Sequence, residues 1–243
     1  MKTAYVTGAD RGLGHALTMV LLGYGYRVYA GQYMLEWGEL SVLKEEYGDN
    51  LIILPLDISS LKQVKAAAKM IKAKEKSLDL LFNVAAIAGS LEHSGTIFDK
   101  FTEKDYKECH QLYDVNTLGA LRVTQSVINL IEKGEQKIII NISSEAGSIG
   151  GNWRSTGYAY CMSKAALNMQ SAILQHSVAH LGIKVLCVHP GWLRSYMSGE
   201  LNEKATEEPM DVAHSIMGLL SRKEMMSLAS PMYFDYRGTQ MAW

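Results

Sequence analysis

Tyr160 and Lys164 close the segment Tyr-Cys-Met-Ser-Lys, and residues four apart on a helix lie on one face. A phenol ionises near pH 10, too high to act as a base at neutrality, whereas an ammonium beside it favours the phenolate and brings it into range. The pair therefore reads as a proton donor and acceptor, Lys164 tuning Tyr160. So short a pattern also recurs by chance on solvated helix faces, and its meaning depends on what else the chain brings to it.

A second signal lies at the start of the chain, where Thr7-Gly8-Ala9-Asp10-Arg11-Gly12-Leu13-Gly14 follows an apolar strand and runs straight into an amphipathic helix. Gly8 permits a tight turn, Gly12 lets the backbone approach a pyrophosphate, and Gly14 allows close packing of helix and strand. With Arg11 and Leu13 between them, these glycines aim a helix N-terminus at phosphate oxygens, so a dinucleotide is expected. An acid at the end of the second strand would mark NAD through its ribose hydroxyls, but that position holds Gln32. Arg11 is placed to pair with the additional phosphate of NADP. NADP(H) is favoured, and NAD(H) stays open.

Elements that position these groups alternate along the chain. Apolar, β-rich runs fall at 4–6, 27–31, 51–55, 78–83, 138–143, 185–189 and 232–234. Helical patterns lie between them: 13–24, 40–47, the set Val64, Ala67, Ala68 and Ile71, and a looser one through Tyr160, Ala165, Leu167, Ala172, Ile173 and Val178. Seven continuous apolar strands alternating with helices predict a parallel sheet buried on both faces, a single-domain doubly wound α/β Rossmann fold spanning 1–243. No repeat, low-complexity tract or linker divides the chain.

Composition excludes several function classes. Of 243 residues, 48% are hydrophobic and 20% charged, and 24 basic side chains face 25 acidic ones for a net charge of -1. Neither a nucleic-acid nor a membrane-surface partner is expected; a small, nearly neutral molecule fits better. The longest apolar stretch, 20–31, carries three glycines and Arg27, and the first residues carry no signal-peptide pattern. Cys109, Cys161 and Cys187 lack paired or metal-ligand spacing, so no disulfide framework and no metal site are expected, in keeping with a cytoplasmic protein.

Together these motifs resemble the short-chain dehydrogenase/reductase family, in particular its carbonyl-reductase and C-factor-like branch. The resemblance runs from the TGxxxGxG pattern at 7–14 to Phe234-Asp235-Tyr236-Arg237-Gly238 and Trp243. It implies hydride transfer between a nicotinamide cofactor and a small carbonyl or alcohol substrate. By resemblance Ser144, in Ile142-Ser143-Ser144-Glu145, hydrogen-bonds the substrate oxygen, with Ser143 as the fallback. Tyr160 exchanges a proton with that oxygen, Lys164 also holds the nicotinamide ribose, and Asn116 kinks a helix and holds a relay water.

The same resemblance places Asp57 against the adenine amino group, with Ile58 beside it, although Asp57 also suits a helix cap before Ser59. Asn83-Val84-Ala85-Ala86 departs from the family's NNAG; Asn83 is expected to brace the sheet while the backbone around Ala85 lines the adenosine side. Pro190, Gly191, Leu193 and Ser195 correspond to the segment that contacts the nicotinamide amide, and a substrate loop of about 192–209 follows, 196–208 suiting a mobile lid or a plain surface loop. Tyr160 lies sixteen positions after Ser144, more than the family's common spacing. The added segment, 150–156, carries Trp153 and Arg154, which are placed either in the substrate-pocket wall or in an exposed turn. Gly157 stands where the enoyl-reductase variant needs a tyrosine, and the stretch after Pro190 is too short for an extended epimerase. A homodimer or homotetramer is implied by the family. A non-catalytic NADP(H)-binding sensor is the alternative, motivated by the altered 83–86 segment and opposed by the joint presence of Asn116, Ser144, Tyr160 and Lys164.

Overall fold

In the computed structural model, which describes residues 1–89, 95–222 and 231–243, each apolar run becomes a strand. These are β1 Thr3–Val6, β2 Arg27–Gln32, β3 Leu51–Pro55, β4 Leu80–Asn83, β5 Ile138–Ile142, β6 Lys184–His189 and β7 Met232–Asp235. All pair in parallel, in the order β3-β2-β1-β4-β5-β6-β7. The order reverses between β1 and β4, and a crevice opens there at the carboxyl ends of the strands. β4 starts two residues later than its apolar run because the Leu78 amide donates to the Leu130 carbonyl rather than to a neighbouring strand.

The helices are α1 Gly12–Gly23, α2 Glu39–Tyr47, α3 Leu61–Lys74, α4 Glu103–Tyr113, α5 Ala120–Ile131, α6 Tyr158–Val178 and α7 Pro209–Leu220. Two apolar clusters cover the sheet, one under α1 and α7, the other under α3 and α5. Val64, Ala67, Ala68 and Ile71 of α3 are all buried, as their spacing predicts. Between α4 and α5 the chain widens into a π-helical turn, Asp114–Gly119, which carries Asn116.

α6 differs from its apolar pattern. Its buried stripe is mostly polar (Ser163, Lys164, Leu167, Asn168, Ser171, Gln175 and Val178), while Ile173 is 58% exposed. The stripe is tolerated because its members are paired: Asn168 Nδ2 donates to the Gly147 carbonyl at 3.1 Å, and Gln175 bridges the Ile183 carbonyl and the Val185 amide at 3.1 and 2.7 Å. Hydrogen bonds, rather than grease, seat this helix against β6. Among the described residues no helix is long and apolar enough to cross a membrane, and no group of three or more His, Cys, Asp or Glu is arranged to hold a metal ion.

Candidate active site

A cavity of about 520 Å³ fills the crevice, and both sequence signals open onto it. Gly8, Arg11, Gly12, Leu13 and Gly14 line one end, and Tyr160 and Lys164 line another. The glycine loop is held by contacts that only glycine admits. Gly8 has φ +63°, and a β-carbon on it would lie 2.8 Å from Ala85 Cα; one on Gly14 would lie 2.0 Å from the Gly8 carbonyl oxygen. Gly14 thus packs against the loop itself. Arg11, the residue capping α1, contributes no side-chain cap, and the first turn of α1 has no acid, so its amides face the cavity without a protein carboxylate.

The Arg11 guanidinium lies 5.0 Å from the Trp37 ring and 6.0 Å from the Tyr196 ring, and those two rings meet edge to face at 5.2 Å. Tyr196, which lines the cavity, is thus held by a ring contact to Trp37 in the loop after β2. The base of that loop is tied by Arg194 N to the Glu207 carbonyl at 2.9 Å and Glu207 N to the Trp192 carbonyl at 3.0 Å. Pro190, Leu193 and Ser195 line the cavity. Gly191 lies outside the lining; its φ of +78° turns the chain where a β-carbon would meet Glu207 and Tyr236.

Of the expected cofactor contacts, the side chains of Gln32 and Asn83 turn away from the cavity. Gln32 is buried and its amide donates to the carbonyls of Met34 and Trp37 at 3.2 and 3.0 Å, so its side chain shapes the loop after β2 instead of the cavity. Asp10, which the sequence reading passed over, lines the cavity and accepts from the Tyr33 and Met34 amides at 2.8 and 2.7 Å. Asn83 is also directed inward, donating to Thr124 Oγ1 at 3.1 Å and Asn141 Oδ1 at 2.8 Å; it braces β4 to β5, while Val84, Ala85 and Ala86 line the cavity. Asp57 and Ile58 line the cavity, with one Asp57 oxygen engaged by the Ser59 amide and hydroxyl.

Asn116 is buried and fully engaged. Its oxygen accepts from the Ile87 amide at 2.8 Å, and its nitrogen donates to the Ile87 carbonyl at 2.9 Å and to Ser163 Oγ at 3.0 Å. The π-turn thus pins the segment after β4 to α6. Of the two serines after β5, Ser143 spends its hydroxyl on Asn168 Oδ1 at 2.6 Å. Ser144 stands outside the cavity lining with its hydroxyl turned to Glu145, yet close enough to Tyr160 to favour the ionised phenol.

The acidities depart from the expected pairing. Burial pushes Tyr160 up to about 12, against a smaller opposing contribution from Ser144, and burial brings Lys164 down to about 8. Lys164 Nζ sits 5.7 Å from the Tyr160 ring centroid and donates to the Ile142 carbonyl at 2.9 Å. Desolvation of both groups outweighs the attraction that a solvated helix face would show.

Neither Trp153 nor Arg154 lines the cavity. Trp153 is 76% exposed, as an exposed turn requires, whereas Arg154 turns inward and pairs with Glu145. Glu145 and His189 were not legible as site residues, because nothing in a Ser-Ser-Glu run reveals that the carboxylate folds back onto Ser144 Oγ, 2.6 Å away.

This cradle fits a dinucleotide. Gly8 and Gly14 leave no room for side chains, Gly12 turns through a left-handed φ of +57°, and the first turn of α1, which carries no acid, opens beside Arg11.

Residues 2–206 match the family profile for short chain dehydrogenases. Nodulation protein G of Rhizobium sp. is 31% identical over 209 residues, covering 86% of this chain and 80% of its own length. The C-signal protein of Myxococcus xanthus is 28% identical over 167 residues, 68% of this chain and 93% of its own. The NADPH-bound carbonyl reductase from chicken fatty liver superposes with a TM-score of 0.84 at 28% identity, covering 100% of this chain and 99% of the other.

Proposed function

The chain belongs to the short-chain dehydrogenase/reductase family, and from that premise we propose that it is an NADP(H)-preferring carbonyl reductase with Tyr160 as its acid-base. The observation that carries this reading is the convergence of the glycine loop and of Tyr160 with Lys164 on one cavity. Arg11, the amides opening α1, Asp57, the 84–86 backbone and Lys164 would hold the dinucleotide. When bound, it supplies or accepts the hydride.

The chain's own residues handle orientation and the proton. Ser144 hydrogen-bonds the substrate oxygen, and Tyr160 delivers its phenol proton to that oxygen during reduction or withdraws the hydroxyl proton during oxidation. Lys164 fixes the ribose beside Tyr160. Asn116, spent on Ile87 and Ser163, holds the cavity wall against α6. The segment 192–209 closes over the substrate, latched by Tyr196 on Trp37.

NADP(H) over NAD(H) is supported by Arg11 and by the NADPH bound to the chicken reductase. Tyr106, Tyr113, Met162, Met169 and Ile173 leave exposed apolar side chains on α4 and α6, which suits a homodimer or homotetramer. Free Cys109, Cys161 and Cys187 suit a cytoplasmic protein, and a net charge of -1 suits a small-molecule substrate over nucleic acid or membrane. The test is NADPH oxidation against aldehydes, ketones, diketones and quinones, with Ser144→Ala in parallel. Turnover lost in the variant supports the reading; tight NADPH binding with no turnover by any carbonyl replaces it with the sensor reading.

A further inference from the structure

Beside Ser144 and outside the cavity lining, Glu145 and Arg154 form an ion pair. The Ser144 hydroxyl donates to Glu145 Oε2 at 2.6 Å, and the same oxygen accepts from the Ala146 amide at 2.8 Å. Arg154, from the added 150–156 segment, pairs with the other Glu145 oxygen, Oε1. Arg154 also lies 4.8 Å from the Trp153 ring. The added segment thereby reaches the serine without lining the cavity.

We propose that Glu145 is a positioning residue: clamped by Arg154, its carboxylate competes for the single hydrogen on Ser144, and the Glu145–Arg154 pair thereby sets the ease with which Tyr160 gives up its proton. This rests on the assignment of Ser144 and Tyr160 to the reaction.

Ser144 carries one hydroxyl hydrogen, and three oxygens call on it: Glu145 Oε2, the Tyr160 oxygen once ionised, and the reacting oxygen of the substrate. An ionised carboxylate is the strongest resting acceptor of the three, and while it holds the hydrogen, Ser144 offers Tyr160 only lone pairs. A phenolate must then draw the hydrogen away from Glu145 and also bear the neighbouring negative charge. Arg154 acts oppositely, weakening the hold of Glu145 on the hydrogen and favouring the phenolate by its own charge.

Other groups around the pair have the same ordering. Burial alone would raise the Glu145 carboxyl, yet the Ser144 and Arg154 contacts outweigh it and hold Glu145 below the usual carboxylate range. Glu145 raises Tyr160 and Arg154 lowers it. His189 accepts from the Glu145 amide at 3.2 Å and is held low by burial, Cys161 is held high by burial, and Tyr233 donates to the Ser144 carbonyl. Asp235 and Glu207 act on His189, Lys164 lies 5.7 Å from the Tyr160 ring, and Glu145 with Arg154 is the charged pair that reaches the serine directly.

Opposite shifts from the two members of one ion pair are the signature, since loss of a merely structural contact would not reverse sign between them. The experiment is tyrosinate absorbance titration of the full chain, each protein measured against its own Tyr160→Phe counterpart, in the wild type, Glu145→Gln, Arg154→Leu and Arg154→Lys. Glu145→Gln should move Tyr160 ionisation to lower pH, Arg154→Leu should move it to higher pH, and Arg154→Lys should return it close to the wild type. In parallel, NADPH-dependent reduction of an aromatic aldehyde should show its alkaline limb move in the same two directions. Shifts of equal sign, or none in either variant, overturn the proposal, and either Glu145→Gln or Arg154→Leu alone suffices to contradict it if the other fails to fold. Turnover that survives Tyr160→Phe, by contrast, sinks the underlying assignment of the site.

Discussion

The Lys164 ammonium donates to the carbonyl of Ile142 over 2.9 Å, tying α6 to the last residue of β5 and holding a cation inside the protein. Burial lowers Lys164 from 10.5 to about 8. Because the folded value lies below the unfolded one, the unfolded chain binds more protons between those limits, and stability rises with pH there. The cost of the buried charge is fully present below pH 8 and relieved as pH passes 10.5. Relative to Lys164→Met, the wild type should therefore gain about 3 kcal/mol across that window. Denaturant unfolding at stepped pH measures it, and a difference that stays flat or falls contradicts the burial.

Gly8 and Gly14 admit no side chain for different reasons. At Gly8 an alanine meets a left-handed φ and the Ala85 backbone; at Gly14 it meets the Gly8 carbonyl at 2.0 Å. Each substitution should cost roughly 2 kcal/mol or more in stability and abolish measurable NADPH binding, since backbone must move at the phosphate cradle. Thermal unfolding with fluorescence titration tests both, and a Gly14→Ala protein of unchanged stability would refute the packing described.

The Arg11 guanidinium packs against the Trp37 and Tyr196 rings, which also meet each other, at the edge of the cavity. Arg11→Ala should weaken NADPH by about 10- to 100-fold, the loss of a charge-assisted contact, and leave NADH within about twofold. Equal losses for both cofactors would assign Arg11 to the latch alone.

Asp79 is a structural counterpart to these site residues. Buried before β4, it accepts from the Thr3 amide at 2.8 Å, the Thr3 hydroxyl at 3.4 Å and the Glu135 amide at 2.8 Å, joining the starts of β1, β4 and β5. Asp79→Ala leaves those buried donors without an acceptor and should cost about 3 kcal/mol in unfolding free energy with little change in NADPH affinity at the far end of the sheet. A loss under 1 kcal/mol on this scale would mean that water replaces the carboxylate.

Seven strands were legible because parallel strands buried on both faces are apolar throughout, and the glycine loop because its glycines answer a backbone constraint carried by the residues themselves. Gln32 turns away from the cavity because a strand-end position does not say where an amide points, whereas Asn83 braces the sheet as its place at the end of β4 predicts. The seating of α6 was hidden for a related reason: the partners of Asn168, Ser171 and Gln175 lie after β5, on β5 and at the start of β6, and nothing in the helix's own sequence points to them. Acidities were the least legible. Four-residue spacing put Lys164 near Tyr160, but only the packed structure shows that desolvation moves Tyr160 up and Lys164 down.

Tyr160→Phe tests the central claim most directly, because it removes one hydroxyl and keeps the ring that walls the cavity. With a carbonyl that the wild type reduces, steady-state NADPH oxidation should fall by about 10²- to 10⁴-fold while NADPH affinity, read by fluorescence titration, stays within about twofold. Unchanged turnover in the variant would contradict the assignment of Tyr160 as the acid-base of this site.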